Sequence, residues 1–140
     1  MADKGTDEGL IAWAEYMLAG LKIEIEKIDK LLDYNYLLNT ILLPTINDAF
    51  ERGYINEVEF KVLKVAVQKQ IFQAADVSEI LGKSSSEVSR IIRSLKEKNM
   101  LMPIQENARK YYPLFNNSKL IRSIITKLDE NGFLPNNLNN

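Results

Sequence analysis

The sequence predicts a mainly α-helical chain with a minor β component: a winged helix-turn-helix preceded by a long N-terminal helical hairpin. Three observations predict it. The stretch DVSEILGKSSSEVSRIIRSLKEK, residues 76–98, reads as two short amphipathic helices across a glycine turn. Two short apolar runs, each carrying a proline, come after it around a polar turn that ends in Arg109 and Lys110. Residues 8–54, which precede it, keep helical spacing of their apolar residues throughout.

Taken in order, residues 1–6 read as a disordered start, with Thr6 or Asp7 placed to cap the first helix. From Glu8 to Asp33 the pattern is one long helix, with Gly20 its only weak point. Ala14, Met17, Leu18, Leu21, Ile25, Ile28 and Leu32 form a stripe, and Lys22, Glu26, Asp29 and Lys30 lie off it. At the helical rise such a segment reaches roughly 35–40 Å. A near-heptad stripe of that length needs cover, from the second helix of its own hairpin or from the same helix of another copy. Trp13 and Tyr16 would anchor such a contact or serve as plain core.

Residues 34–54 continue the helical spacing through Leu37, Leu38, Ile41, Leu42, Ile46 and Phe50, and Gly53 marks a stop. Pro44 inside the pattern predicts a kink or a fresh helix beginning there. The polar break at 33–35 predicts an antiparallel turn back onto the first helix. A further helix covers 57–69, with Phe60, Leu63, Val65 and Val67 inward, and Ile71-Phe72-Gln73 reads as a short strand able to pair with the wing.

Within 76–98, Val77, Ile80 and Leu81 share one face, and Val88, Ile91, Ile92 and Leu95 make the buried stripe of the second helix. Gly82 supplies the left-handed turn, and Ser84 with Glu87 three residues later has capping-box spacing. Asn99 stands where a left-handed residue ends the helix. Runs 100–104 and 111–115 then read as edge-type strands, since Pro103 and Pro113 cannot donate to a ladder. Asn117 or Ser118 caps a last helix burying Leu120, Ile121, Ile124, Ile125 and Leu128, closed by Gly132 and Pro135, and residues 136–140 form a polar, disordered tail. The expected division is an N-terminal extension over 1–55 and a winged-helix domain over 56–135.

Composition excludes most chemistry. The 140 residues contain no cysteine and no histidine, so thiol nucleophiles, thiolate zinc sites and the commonest general base are all missing. No glycine-rich phosphate loop and no calcium-loop spacing occur. The chain reads as a non-enzyme with no cofactor and no metal. No apolar run has membrane-spanning length and no signal sequence opens the chain, so the expectation is a cytoplasmic protein with no membrane partner. The net charge of −1 hides a division: residues 1–55 carry net −5, residues 56–115 net +3 and residues 116–140 net +1.

That positive excess suits a DNA-binding surface. Opposite the buried stripe of the second helix lie Ser86, Arg90, Arg93 and Glu97, with Ser85, Ser89 and Lys96 flanking. Hydroxyls and amides at a helix start can meet phosphates, and an arginine fork matches the acceptor pair of guanine in the major groove. Lys83 and Lys96 add phosphate contacts, and Arg109 and Lys110 sit where a wing meets flanking backbone. Duplex DNA is therefore the expected partner, with a homodimer formed through the N-terminal helices. The alternative is a protein-interaction module whose basic face is only soluble surface, with Glu97 paired to Arg93.

Two resemblances bear on this. The run LIAWAEYMLAGLKIEIEKIDKLLDY, through Trp13, Tyr16 and Leu18, resembles the helix that follows the catalytic core in Fic (filamentation induced by cAMP) family proteins, where a winged helix often comes next. The resemblance implies an accessory C-terminal part of such an AMP-transferring enzyme, or a stand-alone relative. The histidine motif HPFxxGNGR of that family has no counterpart here, so its activity is carried by no residue present. The winged part is also similar to the helix-turn-helix of bacterial regulators at Val77, Leu81, Gly82, Val88 and Ile91, with Ser78 replacing the usual alanine.

Overall fold

In a computed structural model the described residues are 6–135, so the expectations for residues 1–5 and for the tail 136–140 lie outside them. Capping by Thr6 or Asp7 likewise lies outside the described side chains, although the first helix already takes in Thr6. The chain divides into two units at Leu37–Leu38.

The first unit is essentially one helix, α1 (Thr6–Leu32), in which Gly20 causes no break. Its apolar residues are exposed, from Leu10 and Ile11 through Leu18 and Leu21 to Ile28 and Leu32. Asp33 ends it by turning its carboxylate onto the next N–H groups, accepting from Asn35 and Tyr36 and starting the single turn α2 (Tyr34–Tyr36).

The second unit opens within a π-helical stretch, Leu37–Leu42, that runs straight into α3 (Leu43–Glu51). Pro44 is the reason for the wide turn. Its ring would strike the carbonyl four residues back, and the extra residue per turn moves that carbonyl aside. The proline therefore stands at the first positions of α3, where a fresh α-helical stretch was expected to begin. Next come α4 (Glu57–Lys69), β1 (Phe72–Gln73), α5 (Ala74–Leu81), α6 (Ser85–Glu97), β2 (Leu101–Pro103), β3 (Lys110–Pro113) and α7 (Ser118–Glu130). The sheet is antiparallel in the order β1-β3-β2, with Phe72 opposite Tyr111, Gln73 opposite Lys110 and Met102 opposite Tyr112. β2 is an edge strand as expected, but β3 is the central one, so the run with Pro113 is not the edge strand predicted for it. Pro113 is tolerated because it is the last residue of β3, paired only with Leu101. This is the mainly helical winged-helix architecture.

The core of this unit is continuous. Ile41, Ile46 and Ala49 come from the stretch before α4, and Val62, Leu63, Ala66 and Val67 from α4. Phe72, Val77, Val88, Leu95, Leu101 and Leu120 complete it. Phe50 and Phe60 stack at 4.7 Å between ring centroids, joining α3 to α4. Three sequence expectations fail here for one reason. Ile80, Ile121 and Ile125 have helical spacing that points them inward, yet all three are exposed. α7 packs on α3, and the 8-residue α5 on α6, α4 and β1, and each buries a stripe narrower than the apolar arc the sequence supplies.

Candidate nucleic-acid interface

The turn between α5 and α6 is built locally. Gly82 takes φ +63°, a conformation that any side chain would strain. Ser78, the departure from alanine, donates its hydroxyl to the Lys83 carbonyl at 2.9 Å and ties the turn to α5. Ser84 caps α6 by accepting the Glu87 N–H at 3.3 Å. The other half of the expected capping box does not form. The Glu87 carboxylate instead accepts from the Ser84 hydroxyl at 3.1 Å and pairs with Lys83 at 3.7 Å. The start of α5 is closed differently: Asp76 accepts the Gln73 N–H at 2.8 Å and pairs with Lys69 at 3.1 Å. These two contacts, the N–H first, hold its carboxyl below the usual carboxylate range.

At its far end α6 is fixed from two sides, and the sequence reading missed both. Asn56 and Glu59 form a true capping box on α4, with bonds of 2.8 and 2.9 Å. The second oxygen of Glu59, a residue only 6% exposed, takes the Lys98 ammonium at 2.7 Å. Asn117, the cap of α7, donates to the Lys98 carbonyl at 2.7 Å. Asn99 comes next in the expected left-handed conformation, φ +60°. The spacing Asn56-x-x-Glu59 was the available signal for the cap; nothing in sequence announces its ion pair with Lys98. Lys98→Ala is expected to cost about 1–2 kcal/mol in urea unfolding, because it leaves a buried carboxylate with one partner fewer. Lys98→Ala combined with Glu59→Gln should recover part of that loss, since no buried charge is then stranded.

With its ends held, α6 buries Val88, Ile92 and Leu95, while Ile91, expected in the core, is only half-buried at the edge. Ser85, Ser86, Ser89, Arg90, Arg93, Lys96 and Glu97 are exposed, and Lys83 is half-exposed. The two arginines line different hollows. Ser89, Arg93 and Lys96 share one of about 200 Å³ with Ala74 at the start of α5 and Tyr111 of β3. The Lys96 ammonium lies 5.8 Å from the centre of the Tyr111 ring, within cation–π reach. Arg90 lines the opposite flank with Lys83, Glu87, Ile91, Ser94 and Val58 of α4.

The wing differs in detail from its sequence outline. Lys110 is the first residue of β3, opposite Gln73, and so lies in the sheet and not in the turn. The turn is closed by the Ala108 N–H on the Gln105 carbonyl at 3.0 Å, with Asn107 at φ +63°. Its tip is therefore Gln105-Glu106-Asn107, and the exposed Arg109 stands at its base. The register pairs Lys110 with Gln73, and because Lys110 is next to Tyr111 in the strand its side chain leaves the sheet on the face opposite the ring that lines the hollow of Arg93 and Lys96.

Charge pairing separates these cations from their neighbours. Among the described residues between 56 and 115, Lys61, Lys69, Lys83 and Lys98 lie in ion pairs with carboxylates. Arg90, Arg93, Lys96, Arg109 and Lys110 do not, nor does Lys64 on α4, whose ammonium lies 5.8 Å from the centre of the Phe60 ring, and no ion pair joins Glu97 to Arg93. Among the described residues no group of acidic side chains could hold a metal ion, and no helix is long and apolar enough to cross a membrane.

Residues 54–115, from just after α3 to the end of the wing, match the family model described as sugar-specific transcriptional regulator TrmB. No curated protein matches the chain. The family match overturns the resemblance to Fic proteins. Trp13, Tyr16 and Leu18 opening a long helix is a spacing that many amphipathic helices offer, and it singles out no family.

Proposed function

We propose that this chain is a transcription-regulating module that binds duplex DNA through α6 and the wing. The observation that carries the reading is the set of five exposed cations without carboxylate partners, on two elements that meet at Tyr111. Lys61 and Lys69, by contrast, are paired with carboxylates. Glu87, Glu97 and Glu106 lie on the same elements but form no ion pair with these five, which leaves the five available to phosphate. The likeness of residues 54–115 to a family of transcriptional regulators supports the same conclusion.

In this reading the start of α6 brings Ser85, Ser86 and Ser89, together with first-turn N–H groups that have no partner inside the helix, to the phosphate wall of the major groove. Arg93 and Lys96 on one flank and Arg90 on the other straddle the groove, and Arg90 or Arg93 reaches base edges. Arg109 and Lys110 take backbone phosphate to one side, and Lys83 adds a contact at the turn. The second unit, from Leu38 on, carries the DNA-contacting surface on residues 56–135, and the first unit joins copies or attaches a partner domain. Acting on DNA as a cytoplasmic regulator, the module performs no reaction of its own.

The test is fluorescence anisotropy with random duplex DNA across a salt series. Five phosphate contacts predict that log K falls against log salt with a slope of about −4.5. A slope near zero would reject the reading and leave the surface to a protein partner.

A further inference from the structure

We infer that α1 pairs with α1 of a second copy as an antiparallel two-stranded coiled coil, with Leu18 of each copy facing Leu21 of the other. The inference develops the pairing of copies named above and is independent of whether DNA is bound. Its first support is spacing. Ile11, Ala14, Leu18, Leu21, Ile25, Ile28 and Leu32 follow one another at alternating steps of three and four, the seam of a left-handed coiled coil. Apart from Ala14, these residues are between 47% and 75% exposed, so the seam lies open along its length.

Direction is set by volume and charge. In a parallel pair each seam residue meets itself, which sets Ala14 against Ala14 and leaves a gap in an otherwise Ile/Leu core. In the antiparallel register Ile11 meets Ile28, Ala14 meets Ile25 and Leu18 meets Leu21, each layer occurring twice, and Leu32, the seventh seam residue, falls opposite position 7, an aspartate, at the end of the coil. The smallest seam residue then always faces a large one.

Flanking charges agree. A parallel pair aligns Glu24 of one helix with Asp29 of the other on both sides and makes no compensating attraction. The antiparallel register sets Glu15 beside Lys22 on both sides. Its one like-charge pair, Glu8 with Asp29, falls at the ends of the coil, where screening is greatest. The same register lays the acidic N-terminal half of α1 against a net-neutral half, where Lys22, Lys27 and Lys30 are balanced by Glu24, Glu26 and Asp29, and so avoids setting the acidic halves side by side. It also opposes the two helix dipoles.

The absence of native cysteine makes the direction directly measurable. In the antiparallel register Ile11 lies 17 residues, about 25 Å, from Ile11 of the other copy. That is far beyond the roughly 7 Å between Cα atoms that a disulfide can span. Full-length Ile11→Cys and Ile28→Cys should therefore each stay uncrosslinked in a glutathione redox buffer. Their equimolar mixture, unfolded and refolded together, should give the mixed disulfide. Light scattering without DNA should report twice the 16.0 kDa chain mass for the native protein, and a single chain for Leu21→Asp.

Efficient self-crosslinking of Ile11→Cys would overturn the register in favour of a parallel pair. A native protein of single-chain mass at tens of micromolar would overturn the pairing itself, whether or not α1 then bound phosphatidylglycerol vesicles. Because neither measurement involves DNA, failure here and failure of the DNA-binding reading are read separately.

Discussion

Arg93→Ala/Lys96→Ala is expected to weaken binding to random duplex DNA by about tenfold to a hundredfold near 0.1 M salt, and to flatten the salt slope from about −4.5 to about −2.7. These two residues share a hollow with Ser89, Ala74 and Tyr111, and Lys110 lies in the strand that supplies Tyr111. Removing them takes away the part of the surface where helix and wing act together. Arg90→Ala removes a cation from the other flank, beside Glu87 and Lys83, and should change the slope by only about 0.9. Both variants leave the buried stripe intact, so a loss of binding cannot be ascribed to unfolding if urea midpoints match the native protein. Equal slopes for native protein and double variant would remove this flank from the interface. A base-reading arginine has a further signature: its loss costs more on a preferred sequence than on random DNA, whereas loss of a phosphate contact costs the same on both.

The legible part of the sequence was the part that the chain settles within a few residues. Gly82, Asn99, Ser84 and Asn117 act on their own neighbours, so their roles as turn, stop and caps are set by residue type and position. The two runs 100–104 and 111–115 were legible as strands from their apolar residues around a polar turn, but Pro113 misled on position, since β3 is the central strand. The features that stayed hidden depend on partners distant in sequence. The inward arc of α7 was overdrawn at Ile121 and Ile125 because helical spacing shows which face is apolar but not how much of it α3 covers. Lys98 reads as one more basic residue after α6, yet it is spent on Glu59, 39 residues away. The division of Arg90 and Arg93 between two hollows is equally tertiary, since it depends on which side α4 and β3 approach. The Fic likeness failed because it rested on a helix start in α1, whereas the family match rests on the turn, α6 and the wing together.

Phe72→Ala is expected to destabilise the second unit by about 3–5 kcal/mol, a large fraction of what a domain of this size has. Phe72 is the largest side chain that this unit buries completely, at 1% exposure, in a strand of only two residues. Its ring lies 5.9 Å from that of Tyr111, and its backbone is opposite Tyr111 in the ladder. So short a strand has little ladder energy of its own, and the ring is what holds β1 to β3 and sets the base of the wing. The neighbouring Ile71 supplies the control. It is 52% exposed, so Ile71→Ala removes a similar aliphatic volume without opening a cavity and should cost under about 0.5 kcal/mol. Urea unfolding followed by circular dichroism measures both. If Phe72→Ala behaves like Ile71→Ala, the ring is not what anchors the sheet. The predicted coupling to function is equally specific. Where Phe72→Ala remains folded, the contribution of Lys110 to DNA binding should fall while that of Arg90 persists, because only the first depends on β1 holding β3 in place.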